Sequence, residues 1–127
     1  LEGVKRFISL SDSPCHGLNF CQGTISEMCA DPEAVYDAIR YFVERNRVFW
    51  VHFRNIRGGF LEFDEVFPDE GTIDMVRAIR TYREAGYDGV LVPDHVPESA
   101  LDTPYNHRAR AFSYGYIRGL IQATEPR

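Results

Sequence analysis

The sequence predicts an α/β fold in which four parallel strands alternate with helices and form about half of a (β/α)8 barrel. Short apolar runs alternate with longer helical periods along the chain, and Val48–Phe53 is apolar almost throughout, as in a strand covered on both faces. A complete barrel of this type takes about 250 residues, whereas this chain has 127. An open flavodoxin-like sheet is the alternative, but it would need about five strands and a ligand loop early in the chain.

Four short apolar runs that end in loop-forming residues are the predicted strands. They are Val4–Leu10, Leu18–Cys21, Val48–Phe53 and Gly89–Val92. The segment Phe60–Phe67, after Gly58-Gly59, is predicted to be an irregular or hairpin excursion outside the main sheet.

Three helices are predicted from apolar residues at helical spacing and from their end signals. Asp31-Pro32-Glu33 is typical of a helix start, and the apolar face that follows contains Val35, Ile39, Phe42 and Val43. Thr72 is predicted to cap a second helix that Gly86 ends, with one face formed by Met75, Val76, Ile79 and Tyr82. The last helix is predicted from about His107 to Thr124, burying Phe112, Tyr116 and Leu120.

Composition excludes several classes of partner. The chain is 44% hydrophobic and carries a net charge of -5, which argues against nucleic acid, since phosphate binding needs clustered Lys and Arg. No apolar run approaches the roughly 20 residues that span a bilayer, so we expect no membrane partner. An odd number of cysteines without an export signal favours a reducing cytoplasm, where a thiolate can serve as a metal ligand. The start at Leu1, without Met, suggests a piece of a longer chain.

Candidate metal ligands stand at the carboxyl ends of three successive strands. In parallel α/β folds the working side chains lie at these ends. Cys21, His52 and Asp94 occupy them here, and thiolate, imidazole and carboxylate are all metal-ligand types. Taken one at a time, Cys21 could be a small buried hydrophobic residue, His52 a hydrogen-bonded core residue and Asp94 a turn or N-cap residue. Their occurrence at corresponding positions of consecutive units favours one shared metal site.

Other polar residues flank this predicted site. Arg54 suits a substrate carboxylate and Asn55 can bind sugar hydroxyl groups, although an ion pair with Asp or Glu is the simpler role for Arg54. His95 could move a proton near neutral pH. Tyr105 and His107 lie in the polar loop before the last helix, where ordinary packing is the simpler role for His107. The remaining cysteines and His16 are assigned no chemistry.

Five segments resemble the mannonate dehydratase family and occur in the same order. They are Gly17–Gly23 (GLNFCQG), Val51–Asn55 (VHFRN), Asp69–Met75 (DEGTIDM), Pro93–His95 (PDH) and Ala111–Leu120 (AFSYGYIRGL). The resemblance covers nearly the whole chain. It implies a barrel related to the xylose isomerases, of which residues 1–127 would be the C-terminal half of the single catalytic domain.

The resemblance also implies an activity. The family dehydrates D-mannonate to 2-dehydro-3-deoxy-D-gluconate in hexuronate (glucuronate) breakdown, with Mn²⁺ or Fe²⁺ held by a Cys, two His and an Asp. Cys21, His52 and Asp94 match three of these ligands, and the other His would lie upstream of Leu1. His95 and Tyr105 are the implied acid–base pair, in an order left open. For the full-length enzyme we expect a cytoplasmic homo-oligomer.

Two other functions stay open. A metal-dependent aldose–ketose isomerase of the same barrel group is one, although such sites usually lack a thiolate. A non-catalytic half-barrel that pairs with a partner chain, or exists as a fragment, is the other, because an open sheet has unpaired edges. We expect the isolated 127-residue chain to be inactive and prone to aggregation.

Overall fold

The computed structural model describes residues 1–125. Its elements run, in chain order, α1 (Glu2–Ile8), β1 (Leu18–Cys21), α2 (Gln22–Glu27), α3 (Glu33–Val43), β2 (Val48–His52), β3 (Ile56–Gly59), β4 (Glu62–Glu65), α4 (Met75–Glu84), β5 (Val90–Val92) and α5 (His107–Ala123). None of the helices in this range is both long and apolar enough to cross a membrane.

The main sheet contains three parallel strands in the order β1-β2-β5. This order follows the chain without reversal, as in a singly wound barrel. The register places Cys21 beside His52 and His52 beside Val92. The carboxyl ends of all three strands therefore lie at the same edge. The prediction of parallel strands alternating with helices is confirmed for these units.

The prediction of a strand at Val4–Leu10 is wrong, because Glu2–Ile8 forms the helix α1. Val4 and Ile8 are four residues apart, so both reach the core from one face of a helix. The Lys5 ammonium bonds to Glu2 Oε1 at 2.7 Å and also lies over the Tyr41 ring of α3. The four-residue spacing of Val4 and Ile8 is the helical pattern that the strand prediction overlooked.

Among the described residues, the helices pack against one face of the parallel sheet. Phe20 and Phe53 on that face are fully buried and contact Tyr82 of α4, while Phe20 also contacts Phe42 of α3. On the opposite face Trp50 and Val90 are register neighbours, 42% and 48% exposed. Within residues 1–125 these two apolar side chains stand on a sheet face that no helix covers.

The predicted excursion is confirmed as a hairpin, in which β3 pairs with β4 antiparallel. The turn places Gly58 at φ 107° and Leu61 at φ 61°. A Cβ on Gly58 would lie 2.4 Å from the Glu62 carbonyl oxygen, so glycine is needed there. Thr72, the predicted cap of α4, instead exchanges hydrogen bonds with the backbone of Gly58.

The cap of α4 is Asp74, whose carboxylate accepts from the Arg77 N–H. Gly86 follows the end of this helix at φ 93°, as predicted for a terminating glycine. Asp31 accepts from Glu33 N–H at 2.9 Å at the start of α3, close to the predicted boundary. Helix starts were thus predictable to within a few residues.

Two predicted apolar faces are shifted in the structure. Val76 of α4 is exposed, so only Met75, Ile79 and Tyr82 of the predicted four-residue face are buried. In α5, Phe112 is 45% exposed and Tyr116 only partly buried. Leu120 is buried as predicted, and the other buried residues of α5 are Ala109, Ser113 and Ile117.

Candidate metal centre

The structure brings Cys21, His52 and Asp94 together at the carboxyl edge of the sheet. One ligand atom of each side chain can be chosen so that all three lie within 4.8 Å of one another. Nδ1 of His52 is 3.2 Å from Oδ2 of Asp94. All three residues are partly buried, so the cluster is open on one side. Sulfur, nitrogen and oxygen donors at this spacing form a set that a single divalent cation can bridge.

Asp94 owes its orientation to an unusual backbone conformation. Its φ is 63°, in the left-handed region that Asp and Asn tolerate better than most residues. The Arg110 guanidinium of α5 donates to the Asp94 carbonyl oxygen at 2.8 Å. The contact from Arg110 helps to hold Asp94 in this conformation.

His52 has a second partner that was not predicted. Its Nε2 lies 3.2 Å from the amide nitrogen of Asn19. Asn19 is two residues before Cys21 on β1, and alternate strand residues share a face, so it points to the same side of the sheet as the thiol. The two-residue spacing between Asn19 and Cys21 is the sequence pattern from which this contact could have been predicted. Because an amide N–H group only donates, Nε2 is the acceptor of this contact, which helps to orient the imidazole.

Arg54 lies beneath the cluster and is buried. Its guanidinium donates to Glu27 Oε1 at 2.5 Å and to Glu65 Oε2 at 2.9 Å, and its Nε is 3.8 Å from Asp94 Oδ2. These are the ion pairs that were the simpler interpretation, and a contact of Arg54 with a substrate carboxylate stays a prediction. Arg54 therefore links α2, the hairpin and the loop after β5.

Local sequence makes room for this buried cation. A Cβ on Gly23 would lie 2.6 Å from the Arg54 side chain, so only glycine fits there. Burial by itself lowers the pKa of the guanidinium, but hydrogen bonds to Glu27 and Cys21 outweigh it and raise the pKa above its usual value. Arg54 is a permanent positive charge beside the candidate ligands.

Asn55 supports a turn instead of facing the open side of the site. The side chain is fully buried, and its amide nitrogen donates to the carbonyl oxygens of Pro68 and Ile73. Its oxygen accepts from the N–H groups of Ile56 and Ile73. A Cβ on Gly71 would lie 2.2 Å from the amide. Backbone groups thus engage both ends of the amide, and the binding of sugar hydroxyl groups by Asn55 stays a prediction.

His95 lies next to the cluster on its open side, with a side chain 53% exposed. Nε2 is 3.5 Å from Asp94 Oδ2, and Nδ1 is 3.2 Å from Glu65 Oε2. Glu65 and Glu27 were both missed by the sequence interpretation. Neither follows a strand of the main sheet, and only the fold brings α2 and the hairpin to this edge.

Burial raises the pKa of the Glu65 carboxyl above its usual value, against the opposing effects of Arg54 and His95. Tyr105, the other predicted proton-transfer residue, is 74% exposed in the loop before α5. Its ring is near that of His107, whose Nδ1 is 3.0 Å from Thr103 Oγ1. Within residues 1–125 the recorded side-chain contacts of Tyr105 do not reach the three candidate ligands.

The parallel sheet, whose strands follow one another in chain order, and the thiol, imidazole and carboxylate at its carboxyl edge define an α/β protein with a candidate metal site at that edge. Residues 1–127 match the family model described as D-mannonate dehydratase (UxuA). The chain belongs to this family.

Individual relatives agree with the family match. The mannonate dehydratase of Enterococcus faecalis is 33% identical over 131 residues, covering 98% of this chain and 36% of that protein. That of Streptococcus uberis is 36% identical over 130 residues, with 97% and 36% covered. The crystal structure of mannonate dehydratase from Streptococcus suis serotype 2 superposes with a TM-score of 0.83 at 31% identity, over 96% of this chain and 36% of that one. The chain thus spans a little over a third of its relatives' length.

Proposed function

We propose that this chain supplies the C-terminal part of the active site of a mannonate dehydratase, a hydro-lyase that converts D-mannonate to 2-dehydro-3-deoxy-D-gluconate in hexuronate catabolism. The observation that carries the proposal is the convergence of Cys21, His52 and Asp94 at the carboxyl edge of the sheet, in a chain of this family. The rest of the (β/α)8 barrel would come from residues outside the described sequence.

The donor set fits a divalent transition metal. We propose that Cys21, His52 and Asp94 hold Mn²⁺ or Fe²⁺, with a further histidine from upstream as the fourth protein ligand. Thiolate and imidazole donors favour Fe²⁺ on ligand softness, whereas the carboxylate suits either ion. When bound, the cation would supply positive charge that stabilises negative charge developing on the substrate carboxylate.

The residues around the cluster suit the proton transfers of a dehydration. The reaction takes the proton from C2 and releases the C3 hydroxyl group as water. His95 is the proposed group for one of these transfers, because Nε2 lies 3.5 Å from Asp94 Oδ2 and the ring is open to solvent. Tyr105 is proposed for the other transfer. Its loop position would require the loop to approach the cluster when substrate binds.

The buried ion pairs of Arg54 with Glu27 and Glu65 would keep the surroundings of the cluster rigid during these transfers. Two features weigh on the alternatives. Cys21 within the cluster counts against an aldose–ketose isomerase, whose sites usually use carboxylates and histidines. The exposed Trp50 and Val90 support the association of this chain with further strands.

The experiment is to incubate the full-length protein with D-mannonate and detect the keto-deoxy acid by mass spectrometry. We expect conversion that is lost on chelation and restored by Mn²⁺ or Fe²⁺. An aldose substrate mixture tests the isomerase alternative in parallel. Ketose formation without dehydration, or no metal-dependent conversion, would overturn the proposal.

A further inference from the structure

Glu65 stands at the end of β4, outside the parallel sheet, and still reaches the edge that carries the candidate metal ligands. One of its oxygens, Oε2, lies 2.9 Å from Arg54 Nη1 and 3.2 Å from His95 Nδ1. The same carboxylate oxygen therefore connects a buried cation to an exposed imidazole. The hairpin brings it there because Thr72 binds the Gly58 backbone and fixes β3 against the chain before α4.

Buried partners hold the Glu65 carboxylate in place, whereas the His95 side chain is exposed and has few partners. Arg54 is buried, and Glu27 holds its other terminal nitrogen at 2.5 Å, so Arg54 fixes the Glu65 carboxylate in turn. His95 is 53% exposed. Its recorded side-chain partners within residues 1–125 are Glu65 and Asp94 alone. Without Glu65, the imidazole would keep only the longer contact, 3.5 Å, to Asp94.

A carboxylate at Nδ1 also decides which nitrogen of a neutral imidazole carries the proton. An ionised carboxylate attracts an N–H group and repels a lone pair, and Glu65 Oε2 at 3.2 Å from Nδ1 is nearer than Asp94 Oδ2 at 3.5 Å from Nε2, so the proton is favoured on Nδ1. Nε2 then keeps its lone pair. In this structure Nε2 is the nitrogen nearer to Asp94 and the candidate metal ligands.

We infer that Glu65 is a positioning residue that holds His95 in one orientation and in the tautomer with a proton on Nδ1, so that Nε2 is presented to the substrate beside the metal cluster. The inference rests on the proposed dehydratase function for its consequence in turnover. The orientation and tautomer are properties of the protein alone. The competing view is that Glu65 serves only as an ion-pair partner of Arg54.

The test uses the full-length protein with Glu65→Gln and Glu65→Asp, and with Glu62→Gln as the matched control. Glu62 is on the same strand and is exposed, so its substitution removes the same charge without touching His95. For Glu65→Gln we expect kcat to fall by about 10- to 100-fold, because a mispositioned proton-transfer group loses a large part of its effect. KM and metal content of Glu65→Gln should equal those of the wild type. Glu65→Asp should recover part of kcat, and Glu62→Gln should have the kcat of the wild type.

A second readout does not depend on turnover. In the protein labelled with ¹⁵N-histidine and loaded with diamagnetic Zn²⁺, the ring nitrogen shifts of His95, assigned with His95→Gln, report the tautomer. We expect the Nδ1–H form in the wild type and its loss in Glu65→Gln. The Nε2–H form in the wild type, or an unchanged kcat in folded Glu65→Gln, overturns the inference. Absence of mannonate turnover in the wild type would sink the proposed function, while the nitrogen shifts still decide the role of Glu65.

Discussion

Nδ1 of His52 lies 3.2 Å from Oδ2 of Asp94, across the gap between β2 and the loop that follows β5. The two side chains come from different βα units and meet because parallel strands end at one edge. Coordination of a shared cation is the use that we propose for this imidazole and carboxylate beside the thiol of Cys21.

Replacing the thiol tests the metal assignment. In the full-length protein, Cys21→Ser should weaken binding of Fe²⁺ or Mn²⁺ by at least about 100-fold, since even outer partners of metal ligands are worth 10- to 100-fold. Metal content after dialysis measures this. Cys15→Ser is the control, because Cys15 is exposed and outside the cluster. Equal metal content in the two variants would show that Cys21 is not a metal ligand.

Substitutions of Asp94 separate its backbone role from its ligand role. Asp94→Asn keeps a residue that tolerates φ 63°, so stability should hold while metal affinity falls. Asp94→Ala should lose affinity and, in addition, about 1 kcal/mol of stability, because a left-handed conformation costs alanine more. Metal titration and urea unfolding of the metal-free proteins measure the two effects. Equal stability of both variants would show that the left-handed turn carries no cost.

The close approach at Gly23 predicts a packing defect. A Cβ there would lie 2.6 Å from Arg54, so Gly23→Ala should displace the guanidinium and destabilise the protein by about 1–3 kcal/mol. Gly115→Ala in α5 is the control. Apart from its chain neighbours and the backbone of its own helix, no described atom lies within 4 Å of that added Cβ, and alanine in a helix interior should stabilise by about 0.5–1 kcal/mol. Urea denaturation compares them, and a neutral Gly23→Ala would contradict the tight packing.

The carboxylate of Asp102 predicts a pH dependence at the start of α5. It accepts from the N–H groups of Thr103, Arg108 and Ala109. Desolvation raises its pKa, but these hydrogen bonds together outweigh that effect, and the pKa lies below the usual value of 3.8. A lowered pKa contributes stability that is complete above the unfolded value and is lost as pH falls through the folded one.

Asp102→Asn should therefore be less stable than the wild type at neutral pH. The difference should close as the pH is lowered below about 4. Thermal unfolding across this range provides the measurement. Asp64→Asn on the exposed hairpin is the control, with no recorded contact to α5. A stability difference that persists unchanged into acid would show that Asp102 does not act through its charge.

The uncovered sheet face predicts the behaviour of the chain in isolation. Trp50 and Val90 are large apolar residues exposed side by side, so the 127-residue chain should self-associate and should not turn over mannonate. Val90→Lys should reduce association, measured by sedimentation velocity, whereas Val76→Lys on the helical side should have less effect. A monomeric wild-type fragment would contradict this expectation.

The predictable part of the fold was the part governed by local patterns. The strands that end in Cys21 and His52 and the run before Pro93 could be found from apolar runs and turn residues. Val4–Leu10 was misassigned because short apolar runs fit a strand and a packed helix equally well. Phe112 was misplaced for a related reason, since helical spacing defines a face but not which of two faces meets the core.

Sequence by itself determined the chemistry that this protein can offer. A thiol, an imidazole and a carboxylate follow three consecutive strands, and the physics of parallel sheets requires such residues to share an edge. The tertiary structure alone decided which other charges meet them. Glu27 and Glu65 surround Arg54 because α2 and the hairpin fold over the edge, and contacts between elements distant in sequence leave no periodic trace in the chain.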